Sequence, residues 1–125
     1  MVQPIRVFIA DNSARARDGL RALLATWPEL KVVGEAVNGQ EAVRQIAECR
    51  PDVVLMDLQM PVLDGVQATR LIKQQWPTMV VIVLTMYAAE QTAALAAGAD
   101  AFLIKGSTPD RLRSALGAGV TRDKS

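Results

Sequence analysis

Apolar positions along this chain recur at two periods, and the change from one to the other happens five times. Ile5 to Ala10 (IRVFIA) is a strand-length apolar run that stops at Asp11-Asn12. Beyond it Leu20, Leu23, Leu24 and Trp27 fall at i, i+3, i+4 and i+7, the inner stripe of a helix that Asn12 or Ser13 can cap and Pro28 ends. Lys31 to Ala36 reads as a second strand, polar and interrupted by Gly34, as suits a sheet edge. Asn38, with Glu41 three residues on, resembles a capping box opening a second helix. Its inner face is Val43, Ile46 and Ala47, and Pro51 closes it.

Val53 to Met56 is a continuous apolar run that ends in Asp57, the pattern of a strand buried on both faces. Asp64 is a good N-cap for a third helix running to Trp76 and stopped by Pro77. Met79 to Leu84 (MVVIVL) is the most apolar run in the chain and predicts a central strand, ending in Thr85. Ala88 to Ala97 is helical by propensity, but Leu95 is its one large apolar residue, so weak packing is expected before Gly98 ends it. Asp100 to Ile104 is a fifth strand, ending at Lys105. Thr108-Pro109-Asp110 then starts a last helix with Leu112, Ala115 and Leu116 inward, which Gly117 and Gly119 are expected to stop.

Strands alternating with helices imply a parallel sheet covered on both faces. The fold class is therefore α/β, a flavodoxin-like (βα)5 doubly wound sheet with strand order 2-1-3-4-5. Residues 1–120 form one domain, and 121–125 are a polar tail or the start of a linker.

Composition narrows the function. The 125 residues carry 14 basic and 13 acidic side chains, for a net charge of +1, which leaves no electrostatic footprint for nucleic acid or an anionic membrane. The longest apolar stretch is too short to cross a bilayer, which needs about 20 residues. A single cysteine, Cys49, excludes an internal disulfide and points to a reducing cytoplasm, where it serves as a small hydrophobe at a helix end. Histidine is absent, which excludes Ser-His and Cys-His nucleophilic sites and the common zinc centres.

The predicted topology brings the strand ends together. Asp11, Asp57, Thr85 and Lys105 follow the ends of strands one, three, four and five, so they share one edge of the sheet around its switch point. Two carboxylates side by side repel unless a cation sits between them, and hard oxygen donors suit Mg²⁺. An ionised carboxylate is also a nucleophile for phosphoryl groups, and an aspartate, with an ordinary pKa of about 3.9, needs no base at neutral pH. Lys105 would face the phosphoryl oxygens as a point charge, and the Thr85 hydroxyl would donate to one of them.

Ala10-Asp11, Asp57-Leu-Gln-Met-Pro61, Asp64-Gly65, Leu84-Thr85, Gly98-Ala-Asp-Ala-Phe102 and Lys105 together resemble the receiver domain of bacterial two-component response regulators, over essentially the whole chain. Leu84-Thr-Met-Tyr87 and Leu103-Ile-Lys-Gly106 look most like receivers that precede a LuxR-type helix-turn-helix domain. The resemblance implies that Asp57 accepts a phosphoryl group from a phosphohistidine on a sensor histidine kinase. It assigns Mg²⁺ to Asp57, to the acidic pair after strand one, and to the main-chain carbonyl of Gln59. It makes Thr85 and Phe102 a switch pair that remodels the surface of helix four, strand five and helix five. In the family that surface serves homodimerisation or output contacts, here with a DNA-binding domain outside this chain. DNA contact would come only through that domain, and no membrane contact is implied.

One family position differs. Asp11 matches the first acid of the pair, but Asn12 stands at the second. Asn12 is then either a metal contact or a helix cap alone, and a pseudo-receiver acting without phosphorylation is the rival reading. A flavin or nucleotide carrier on the same topology is disfavoured, because Asp11-Asn-Ser-Ala14 holds no glycine-rich phosphate cradle. Met86 is large for its position and is expected to narrow access to Asp57.

Overall fold

A computed structural model of the chain describes residues 3–124, with side chains through residue 117. Among the described residues the strands are β1 (Ile5–Ala10), β2 (Leu30–Ala36), β3 (Val53–Asp57), β4 (Val80–Thr85) and β5 (Ala101–Ile104). They alternate with α1 (Ala14–Leu24), α2 (Gly39–Cys49), α3 (Gly65–Gln75), α4 (Gln91–Ala96) and α5 (Pro109–Lys124), and a 3₁₀ turn at Ala88–Glu90 precedes α4. All pairings are parallel, in the order β2-β1-β3-β4-β5. The expected (βα)5 topology is therefore the observed one.

Strand side chains point alternately to the two faces, and each face has its own core. Phe8, Ala10, Val54, Met56, Val81 and Val83 pack with Ala42 and Ile46 of α2, Ala68 and Ile72 of α3, and Ala94 of α4. Val7, Ile9, Val53, Leu55, Ile82 and Leu84 pack with Leu24 of α1 and Leu112 and Leu116 of α5. Because β1, β3 and β4 are buried on both faces, their sequences show continuous apolar runs rather than alternation. The polar β2 lies at the edge, and its register against β1 shifts between Val7 and Phe8. A β-carbon on Gly34 would stand 2.8 Å from the Phe8 ring, so this strand needs its glycine to let the buried aromatic through.

Several local expectations are corrected. The first helix stops at Leu24 instead of running to Pro28, since the residue before a proline is steered away from helical geometry; Trp27 is still buried in the following turn. Ser13 is the cap of α1, accepting from the Ala16 N–H at 3.1 Å, so Asn12 does not cap. Asn38 does cap α2, but Glu41 turns to Arg44 and Gln45 rather than completing a reciprocal box. The inner face of α2 is Ala42 and Ile46 with Val43 half-buried, and Ala47 is exposed. In α4 the buried residue is Ala94, while Leu95 is 47% exposed. Gly98, at φ +106°, ends that segment as expected.

Gly117 and Gly119 do not stop α5, which continues to Lys124. Glycine ends a helix by turning left-handed, and among the described residues only Gly98 and Gly106 do so. In a helix interior it merely costs about 1 kcal/mol relative to alanine. The proposed tail at 121–125 thus begins within α5, and its last residue, Ser125, lies outside the described residues.

Two glycines should separate on mutation. A β-carbon on Gly65 would overlap the Asp57 carbonyl oxygen, whereas nothing lies within 4 Å of one on Gly19 in α1. Gly65→Ala should lower stability by about 1–3 kcal/mol. Gly19→Ala should raise it by about 0.5–1 kcal/mol. Urea unfolding midpoints read both, and a Gly65→Ala midpoint equal to wild type would contradict the close approach.

Candidate functional site

Sheet register places the site. Ala10 pairs with Met56, Asp57 with Leu84, and Thr85 with Ile104. The last residues of β3 and β4, Asp57 and Thr85, and the residues just past β1 and β5, Asp11 and Lys105, therefore reach the same edge. The Lys105 N–H donates to the Thr85 carbonyl at 2.7 Å, carrying the pairing one residue beyond β5.

Lys105 holds two buried acids at once. Its Nζ lies 2.8 Å from Asp11 Oδ2 and 3.5 Å from Asp57 Oδ2, while Asp11 and Asp57 are only 2% and 4% exposed. Their other oxygens accept main-chain N–H groups, Asp11 Oδ1 from Ser13 at 2.9 Å and Asp57 Oδ1 from Gln59 at 3.2 Å. Burial raises the Asp57 pKa above its ordinary value, and the Asp11 charge adds to the rise; Lys105 and the Gln59 N–H oppose it. Asp57 is thus a carboxylate that gains from any further positive charge placed beside it.

Alternation along the strands divides the site between two layers. Asp11 and Lys105 border a cavity of about 280 Å³ between α1 and α5, walled by Leu20, Leu23, Leu103 and Leu112. Thr85 turns the other way. It is fully buried and its hydroxyl donates to Glu90 at the head of α4, while the Tyr87 N–H donates to that hydroxyl at 3.3 Å. Glu90 also accepts from the Gln59 side-chain amide at 2.7 Å. Phe102 is half-buried against the core that includes Ala94.

Sequence reasoning named Asp11, Asp57, Thr85 and Lys105; the fold brings all four to one sheet edge, but only Asp11, Asp57 and Lys105 touch one another, and the Thr85 hydroxyl turns to Glu90 on the other face. Sequence reasoning missed Glu90. The signal was present, because Glu90 is the one charged residue in the alanine-rich stretch from Ala88 to Ala97. Asn12 is exposed beside Asp11. Among the described residues no group of three or more acids, thiols or imidazoles is arranged for a metal, so Asp11 and Asp57 stand as a pair. Met86 is 63% exposed.

The geometry defines a flavodoxin-like α/β domain with a buried acidic pair and a lysine at its switch point. Compared with known families, residues 7–117 match the response regulator receiver domain, and the chain belongs to that family. Among relatives, it is 46% identical over 110 residues to the uncharacterized transcriptional regulatory protein YhcZ of Bacillus subtilis, covering 86% of this chain and 51% of that protein. It is 40% identical over 114 residues to the transcriptional regulatory protein LnrK of the same organism, covering 90% of this chain and 52% of that one. The chain thus spans about half the length of the curated transcriptional regulators it matches. A solved two-component response regulator of the LuxR family from Aurantimonas sp. SI85-9A1 superposes with a TM-score of 0.89 at 34% identity, over 95% of this chain and 86% of the other. No helix among the described residues is long and apolar enough to cross a membrane.

The raised Asp57 pKa has a sign that thermal unfolding can read. A carboxyl whose pKa is higher folded than unfolded binds protons more tightly in the native state, so stability falls as pH rises from the unfolded pKa through the folded one. At pH 7 the ionised group opposes folding. Asp57→Asn should therefore raise the melting temperature at pH 7. The gain should shrink as pH is lowered toward the unfolded pKa. An unchanged or lower melting temperature at pH 7 would contradict the burial argument.

Proposed function

We propose that this receiver domain is a phosphoacceptor, with Asp57 as the reacting group. One observation carries the reading: Asp57 is buried and held at a strand tip, with the Lys105 ammonium 3.5 Å from one oxygen. In the proposed reaction that oxygen attacks the phosphorus of a phosphohistidine on a sensor histidine kinase. The new P–O bond gives an acyl phosphate, the P–N bond breaks, and the imidazole leaves with its electron pair and takes up a proton. Lys105 would shift from its pairing with Asp11 toward the phosphoryl oxygens, and Thr85 would donate its hydroxyl to one of them.

The donor set suits Mg²⁺. Asp11 and Asp57 offer hard oxygens close enough to share one ammonium, and their mutual repulsion favours a second cation. The main-chain carbonyl of Gln59 would complete the protein's share, and Asn12 would add at most a neutral oxygen. When bound, the ion supplies charge compensation for the transferring phosphoryl group.

The output follows from the α4 side. Thr85 and Phe102 act as the switch pair, and the exposed Tyr87 and Leu95 mark a helix 4–strand 5–helix 5 surface for homodimerisation or output contacts. The output domain we assign is DNA-binding, by similarity to the transcriptional regulators of which this chain spans about half. The whole regulator would act on transcription in the cytoplasm. The rival reading, a pseudo-receiver working by interaction alone, rests on Asn12.

Incubation with Mg²⁺ and acetyl phosphate separates the two. A covalent mass gain that Asp57→Ala abolishes supports the phosphoacceptor, and no gain at millimolar Mg²⁺ favours the pseudo-receiver. Asn12→Asp restores a third carboxylate and should tighten Mg²⁺ binding by roughly 5- to 30-fold, equivalent to about 1–2 kcal/mol. Equal affinities in a titration would refute this account of the missing charge.

A further inference from the structure

The Thr85 hydroxyl carries a single proton, so it donates to one acceptor at a time. That acceptor is Glu90 Oε1. The second carboxylate oxygen, Oε2, takes the Gln59 side-chain amide at 2.7 Å. Glu90 therefore clamps the residue two places after Asp57 and the hydroxyl at the end of β4 together. It ends the 3₁₀ turn and stands at the N-cap position of α4, yet makes no capping bond to its own helix. Its carboxylate serves Thr85 and Gln59 instead.

We propose that Glu90 is a latch: a positioning residue that holds the Thr85 hydroxyl on the α4 side and must release it before Thr85 can reach a phosphoryl group on Asp57. This rests on the reading of Asp57 as phosphoacceptor and adds to it a regulatory residue. Release couples two events. The hydroxyl turns toward the acid site, and the head of α4 loses its tie to β4 and to the loop after β3. With only Ala94 buried among its residues, α4 offers little packing to resist the movement.

The test uses beryllofluoride as the phosphoryl mimic at saturating Mg²⁺, with binding followed by NMR in four proteins: wild type, Glu90→Ala, Thr85→Ala and the double variant. A latch that holds the competent arrangement to roughly a tenth of the population weakens apparent affinity about tenfold, so Glu90→Ala should half-saturate at about one-tenth the wild-type concentration. With Thr85 replaced by alanine, removing Glu90 should change half-saturation by about twofold or less, the scatter expected of independent sites. Equal half-saturation of wild type and Glu90→Ala overturns the latch alone. A full gain that survives in the Thr85→Ala background also overturns it, assigning the effect to the carboxylate's field. Absence of any Asp57-dependent binding in wild type overturns the phosphoacceptor reading, and the latch with it. The wild-type protein gives a second readout independent of whether Glu90→Ala folds. Its Thr85 hydroxyl proton should exchange slowly and show contact with Glu90, and that contact should vanish on beryllofluoride binding. Persistence of the contact at saturation overturns the proposal.

Discussion

A single ammonium between two carboxylates is the constraint to which the rest of the site is fitted. Asp11 and Asp57 are buried at adjacent strand ends, where charge is expensive to desolvate and like charges repel. Lys105 reaches both from β5, across the strand that ends in Thr85. It lies closer to Asp11 than to Asp57, which leaves Asp57 the less compensated of the two. The main-chain N–H groups of Ser13 and Gln59 then hold each carboxylate from the turn that follows it. A reactive acid in this setting is kept short of partners by the same burial that orients it.

The surrounding packing serves that arrangement. Gly65 lets α3 begin against the Asp57 carbonyl, and its N–H donates to the Leu58 carbonyl at 3.2 Å. Asp64 caps the same helix through the Gln67 N–H, so its carboxylate is occupied by fold rather than by chemistry. Val62 takes a left-handed conformation, φ 68°, uncommon for a β-branched residue, in the loop between Asp57 and that cap. Strain of this kind persists only where neighbours fix the chain, and here Leu63 does so by accepting from the Gly39 N–H at 3.0 Å.

Most of the architecture was legible because burial on both faces writes long apolar runs into β1, β3 and β4, and because Pro, Gly and Asp punctuate the helices. The four site residues at strand ends were legible for the same reason, since a parallel sheet aligns its C-terminal tips. Where the reading slipped, tertiary packing had overruled a local signal. Leu95 is the one large apolar residue of α4, but the helix approaches the sheet through Ala94, a fit that favours a small side chain over a large one. Gly117 and Gly119 looked like stops, yet a glycine stops a helix by turning left-handed, and neither does so. Glu90 escaped notice because its partners, Thr85 and Gln59, come together only once β3 and β4 are paired.

The sheet also works as a partition. Asp11 and Lys105 open toward α1 and α5, whereas Thr85 and Phe102 belong to the α4 side. Neighbouring side chains on one strand thus answer to different helical layers. The two compartments meet at the β4 terminus, where Leu84 faces one and Thr85 the other, so one strand end carries any mechanical link between the acid site and the head of α4.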